Sequence, residues 1–208
     1  MTEAQATGRQ TILARITTAL ADRPAPAEVP RAYRPAGAEP GVDLLDLLTD
    51  RLVDYRAAVH RCPAGAAAGR IGELVGDRSV VVPVGFDEQL LTEVTSWRGD
   101  EPPLTIAELD AADGVVSSCA LAIAETGTLV LDAGPGQGRR ALTLVPDYHL
   151  AVVRADQVVF NVPEAIQRLA GSRTLTWISG PSATSDIELA RVEGVHGPRT
   201  LVVLLLEP

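Results

Sequence analysis

The chain has 208 residues, 46% hydrophobic and 22% charged, which suits one globular domain with at most a small extension. Its formal net charge is −9. No basic patch larger than Arg139-Arg140 offsets that charge, which argues against nucleic-acid binding. All 18 basic residues are arginines, which excludes a lysine Schiff base, a pyridoxal-phosphate lysine and the lysine of a phosphate-binding loop.

Aromatic residues make up only 3% of the chain, so the core must be built from Val, Leu, Ile and Ala. The two cysteines, Cys62 and Cys119, stand far apart and form no C-x-x-C pair. That spacing argues against an iron–sulfur cluster, a structural zinc site and a disulfide. The N-terminus lacks a charged-then-apolar leader pattern and no run is long enough for a membrane span, so the expected location is cytoplasmic. No metal or cofactor is expected in this chain.

Taken in order, residues 8–20 have the spacing of an amphipathic helix, with Ile12, Leu13, Ile16 and Leu20 on one face. Pro24, Pro26, Pro30, Pro35 and Pro40 follow, and proline cannot sustain a helix interior. Residues 1–42 therefore read as an N-terminal helix and proline-rich arm. The helix packs on its own domain, lies apart from it, or joins two copies as a homo-oligomer. The main α/β domain is expected over 43–208.

Asp43 is placed to cap a helix that carries Leu44, Leu47, Leu48, Leu52 and Tyr55 inward. Residues 57–61 read as a strand. The next helix carries Ile71, Leu74 and Val75 and stops at Gly76. Ser79 to Val82 is a short β-branched run, the pattern of a strand buried on both faces. Asp87 predicts a helix with Leu90, Leu91, Val94 and Trp97 on one stripe, stopped by Gly99. Thr105 and Glu108 have capping-box spacing.

Val115 to Ser117 reads as the next strand. Two apolar segments then flank Glu125-Thr126-Gly127-Thr128, as in a hairpin or a bent strand. A glycine loop, Gly134 to Arg140, precedes a strand at His149 to Val153. Pro163 opens a helix closed by Gly171. Thr174 to Ile178 and Leu201 to Leu206 complete the strands. This alternation predicts an α/β fold with a mostly parallel sheet in a three-layer α/β/α sandwich. Ligands in such folds bind beyond the carboxyl ends of the strands.

Three polar groupings carry candidate chemistry. In the first, Glu125 ends an apolar run beside Thr126, Gly127 and Thr128. The carboxylate suits a nucleophile, a base or a ligand anchor, and equally a turn in which it caps backbone amides. The second is the glycine loop. Its spacing is not that of the dinucleotide fingerprint, and it lies late in the chain, so a nicotinamide site is rejected. Gly136, Gly138, Arg139 and Arg140 suit a carboxylate or phosphate cradle, or a tight turn with exposed arginines.

The third grouping runs from Ser179 to Pro198. Ser179, Ser182, Thr184 and Ser185 supply hydroxyls, Gly180 and Pro181 shape the backbone, and Asp186 and Glu188 supply carboxylates. Asp186 equally suits a helix cap. His196 is the first choice for acid–base work, because its ordinary pKa is near neutrality. A Ser182–His196–Asp186 triad can be drawn, but no nucleophile-elbow pattern supports it. A metal held by Asp186, Glu188 and His196 matches no familiar spacing. Anion binding by Ser182 and Thr184 is the safer expectation.

Several stretches together resemble the lactate utilization protein C (LUD domain) family. They are Ile123 to Thr128, Gly134 to Arg139, Val145 to His149 and Ser179 to Pro198. The resemblance is dense from Val115 onward and weak in the proline-rich part. It implies a fold similar to the sugar-phosphate isomerase and CoA-transferase group. It also implies a place in bacterial oxidation of L-lactate to pyruvate alongside iron–sulfur partner proteins, which would carry the electrons this chain has no ligands to hold. A stand-alone isomerase or CoA-transferase-like enzyme, with Glu125 as nucleophile or base, is the alternative. A non-catalytic module sensing a small acid is another.

Overall fold

The computed structural model describes residues 8–22, 28–30, 36–37, 41–169, 171, 174–184, 192–193 and 196–208. The chain divides into two compact units, Met1–Arg34 and Pro35–Pro208. In the first, α1 runs over Gly8–Ala19. The hydroxyls of Thr17 and Thr18 donate back to the carbonyls of Leu13 and Ala14.

The second unit begins with α2 (Leu44–Asp54), β1 (Ala58–Pro63), α3 (Ala67–Val75), β2 (Val80–Val82) and β3 (Trp97–Gly99). Next come α4 (Ile106–Asp110), β4 (Gly114–Ser118), β5 (Leu121–Ile123), β6 (Thr128–Leu131) and β7 (Tyr148–Arg154). The chain closes with β8 (Val158–Val159), α5 (Val162–Arg168), β9 (Thr176–Ile178), β10 (Ala183–Thr184), β11 (Val192–Glu193) and β12 (Thr200–Glu207).

Local chemistry sets the helix ends. The Asp43 carboxylate accepts from the N–H groups of Leu45 and Asp46, which opens α2. Thr105 and Glu108 form the expected capping box on α4. Asn161 caps α5 and a proline occupies its first turn.

Six strands form a wholly parallel sheet in the order β1-β12-β7-β4-β2-β3. Its inner strands β2, β7 and β12 are largely apolar runs because both faces are covered. On one face, Val202, Leu204 and Leu206 of β12 join Leu150 and Val152 of β7, packed against Ile71 and Val75 of α3. On the other, Leu201, Val203 and Leu205 of β12 meet Ala151 and Val153 of β7 and Leu48 and Leu52 of α2. Each fully buried leucine contributes about 1.5–3 kcal/mol relative to exposure.

A second sheet, in the order β8-β5-β6-β9, lies on the α2 side. Ala122, Leu129 and Leu131 face the parallel sheet, whereas Leu121, Ile123 and Val130 face away and are covered by Ala165 and Leu169. This alternation fits the hairpin expected at Glu125, with β5 and β6 antiparallel.

Two expectations are corrected. Residues 88–91 form only a 3₁₀ turn capped by Asp87, and Trp97 opens an edge strand instead of closing a helix. Leu91 and Val94 are buried all the same, so the apolar spacing reports burial and not helix length. Residues 176–178 join the smaller sheet, paired antiparallel with β6, and not the parallel one.

Candidate functional site

The turn between β5 and β6 is anchored by its backbone: the Glu125 N–H donates to the Phe160 carbonyl at 2.9 Å. The Thr126 and Thr128 hydroxyls lie 2.7 Å apart, and Thr128 Oγ1 lies 2.8 Å from Ser179 Oγ. A row of three hydroxyls thus ties the Glu125 hairpin to the segment after β9. Gly127 and Gly180 have φ of 59° and 88°. A Cβ at Gly127 would stand 2.9 Å from the Arg51 carbonyl carbon, and one at Gly180 would stand 2.8 Å from the Tyr55 carbonyl oxygen. Both loops therefore press on the C-terminal end of α2, where only glycine fits.

Ser179, Gly180, Pro181 and Ser182 form one wall of a cavity of about 180 Å³. Trp177 and Ile178 continue that wall, and His196, Gly197 and Pro198 also line it. Arg140, Thr143, His149 and Leu201 complete the lining. His149 and Leu201 are the second residues of β7 and β12. The cavity therefore sits at the amino ends of two parallel strands. The Ser179 loop follows a strand, as expected, but β9 belongs to the smaller sheet, so the loop meets the parallel sheet at the amino ends of its strands.

His149 is 1% exposed, and its Nε2 lies 2.8 Å from the Oγ of Ser117, which is 0% exposed. Burial, reinforced by the nearby Arg140 charge, lowers the His149 pKa to about 4. The imidazole is therefore neutral near pH 7. Arg140 Nη1 donates to the carbonyl and the hydroxyl of Thr143 at 3.0 and 3.1 Å. Among the described residues no carboxylate pairs with Arg140. An exposed guanidinium without a carboxylate partner among the described residues, a neutral imidazole and serine hydroxyls around a small cavity suit a small anion with further oxygen atoms.

Ser182 and His196 do meet, but through the backbone: the His196 N–H donates to Ser182 Oγ at 2.9 Å, and the Ser182 N–H donates to the Pro198 carbonyl. That contact positions two loops and is not a nucleophile–base pair. Thr184 lies in β10, its backbone paired with Val192. Asp186 and Glu188 lie outside the described residues.

The glycine loop is elsewhere. The Gly136 N–H donates to the Val84 carbonyl, and its own carbonyl accepts from the Ser118 N–H. A Cβ at Gly138 would collide with Leu142 Cδ1 at 2.5 Å. Arg139 holds the buried Asp100 carboxylate through two bonds of 2.8 and 2.9 Å. The pair lowers the Asp100 pKa, chiefly through the hydrogen bond to Arg139. Gly136, Gly138 and Arg139 are thus occupied in packing and pairing and do not line the cavity. The neighbouring Arg140 does. So do His149 and Trp177, which pattern reading left out of the candidate site. The signal for His149 was its place at the entrance of a strand otherwise wholly apolar.

The comparisons agree with this architecture. A family model described as the LUD domain matches residues 45–206. Lactate utilization protein C of Deinococcus radiodurans is 48% identical over 90% of this chain and 86% of its own length. An uncharacterized Escherichia coli protein, YkgG, is 33% identical over 69% of each chain. A crystal structure of a DUF162 family protein from Deinococcus radiodurans matches with a TM-score of 0.70 and 45% identity, over 78% of this chain and 96% of that one. The chain belongs to the LUD domain family.

Proposed function

We propose that this chain is a component of a bacterial L-lactate utilization system and binds a small carboxylate in the cavity between the Ser179–Ser182 loop and the start of β7. The observation that carries the reading is Arg140, a guanidinium on the cavity wall with no carboxylate partner among the described residues. Ser179 and Ser182 supply hydroxyls beside it. The Glu125 hairpin, linked to Ser179 through Thr126 and Thr128, braces the wall. Relatives carrying the name lactate utilization protein C support the physiological setting.

In this reading the electrons pass through iron–sulfur partner proteins. Cys62 and Cys119 are buried in separate apolar clusters on opposite faces of the parallel sheet, so they cannot ligate one cluster together. The test is twofold. Tryptophan fluorescence of a Trp97→Phe variant, which leaves Trp177 as the reporter, should respond to L-lactate, and deleting the chain should abolish lactate-dependent growth and dye reduction. A chain that binds no small acid and whose loss leaves lactate oxidation intact overturns the reading. Turnover of a small acid by the chain alone would instead favour an independent isomerase- or acyl-transferase-type enzyme.

A further inference from the structure

Resting on the carboxylate reading above, we infer that the cavity selects 2-hydroxy and 2-oxo carboxylates, with Arg140 taking the carboxylate and His149 Nδ1 taking the adjacent oxygen. The Ser117–His149 pair is the reason. Burying a histidine and a serine inside an aliphatic sheet is costly unless each has a partner. Ser117 Oγ and His149 Nε2 satisfy one another at 2.8 Å. Among the described residues Nδ1 has no hydrogen-bond partner, so it is the ring nitrogen available to a bound molecule, and His149 forms part of the cavity wall.

The serine hydroxyl gives the pair a particular property. It can donate to Nε2, which leaves hydrogen on Nδ1. It can also accept from an Nε2–H, which leaves Nδ1 as an acceptor. The ring thus presents a donor to a ketone oxygen and an acceptor to a hydroxyl, with no change in net charge. Neutrality of the imidazole makes this interchange available, because the protonated ring would donate from both nitrogens. A carboxylate lacking the 2-oxygen would reach Arg140 and leave Nδ1 dry and unpaired. Sites built to bond an oxygen reject analogues without it.

The experiment measures binding of L-lactate, pyruvate and propionate to the full chain by calorimetry. Lactate and pyruvate should bind within about tenfold of each other, and each at least about tenfold tighter than propionate. His149→Phe should erase that preference while keeping propionate binding. Arg140→Gln should weaken all three. Should His149→Phe fail to fold, Ser117→Ala decides, because it keeps the ring and removes the tautomer partner; the preference should shrink severalfold. Equal binding of propionate and lactate overturns the His149 assignment and leaves the carboxylate reading standing. Absence of binding by all three overturns the reading itself.

Discussion

Ser117 Oγ lies 2.8 Å from His149 Nε2 across two adjacent parallel strands, β4 and β7, both residues essentially without solvent exposure. Their side chains are a polar island on the face of the sheet that otherwise packs α2 and the smaller sheet. A buried polar pair in a core of aliphatic residues is kept there against its desolvation cost. At the edge of a cavity that cost is consistent with a binding role.

The pair has a pH signature. The His149 pKa falls from 6.5 to about 4 on folding, mainly by burial. Between those values the unfolded chain takes up a proton that the folded chain refuses, so stability falls as pH falls. The loss attributable to His149 should be roughly 2 kcal/mol between pH 7 and pH 5. His60 shifts in the same direction, through burial and the nearby Arg70 charge. Urea unfolding at both pH values, comparing wild type with His149→Phe, isolates the His149 share. Parallel pH curves for the two proteins would contradict the assignment.

Gly127 and Gly180 should not tolerate alanine. Each has a left-handed φ, and each added Cβ would meet α2 backbone or its C-terminal neighbour within 3 Å. We expect losses of about 2 kcal/mol or more for Gly127→Ala and Gly180→Ala. Gly65 has open space around it, so Gly65→Ala is the control. Melting temperatures of the three variants check the contrast.

Arg139 is a structural residue in this fold. Arg139→Met strands the Asp100 carboxylate, which is 8% exposed and still accepts from the Leu104 N–H. With the arginine side partly solvated, the expected cost is about 2 kcal/mol. Asp100→Asn together with Arg139→Met should recover part of it, as a double-mutant cycle would report.

Both thiols should be inert in the folded protein. Burial raises the Cys119 pKa to about 12 and also raises that of Cys62. The thiolate is the reactive form. Alkylating reagent at about pH 7.5 should label neither until the unfolding midpoint in urea, as mass spectrometry of quenched samples would show. Labelling of Cys119 in the native protein would contradict its burial.

Much of the fold was legible because its signals are local. The Asp43 cap, the Thr105–Glu108 capping box and the β-branched run at Val80 to Val82 all rest on neighbours a few residues away. The stripe at Leu90, Leu91 and Val94 misled because a helix, and a 3₁₀ turn followed by an edge strand, bury the same residues. The candidate site was partly legible. Ser179, Gly180, Ser182 and His196 do line one cavity, and Thr126 and Thr128 are bonded to it through Ser179. Which of two adjacent arginines reaches the cavity was not legible, since Arg139 is claimed by Asp100, far away in sequence.

From residue order alone came the α/β alternation, the glycine positions and the exclusion of lysine-dependent chemistry, because these follow from composition and from contacts within a few residues. Tertiary structure alone decided that β9 joins a second sheet. It also decided that the cavity opens at the amino ends of β7 and β12, that His149 and Arg140 line it, and that Ser117 holds His149 from behind. Those relationships arise from strand order and register, and pairing between distant segments is set by the packing of the whole core and not by any local pattern.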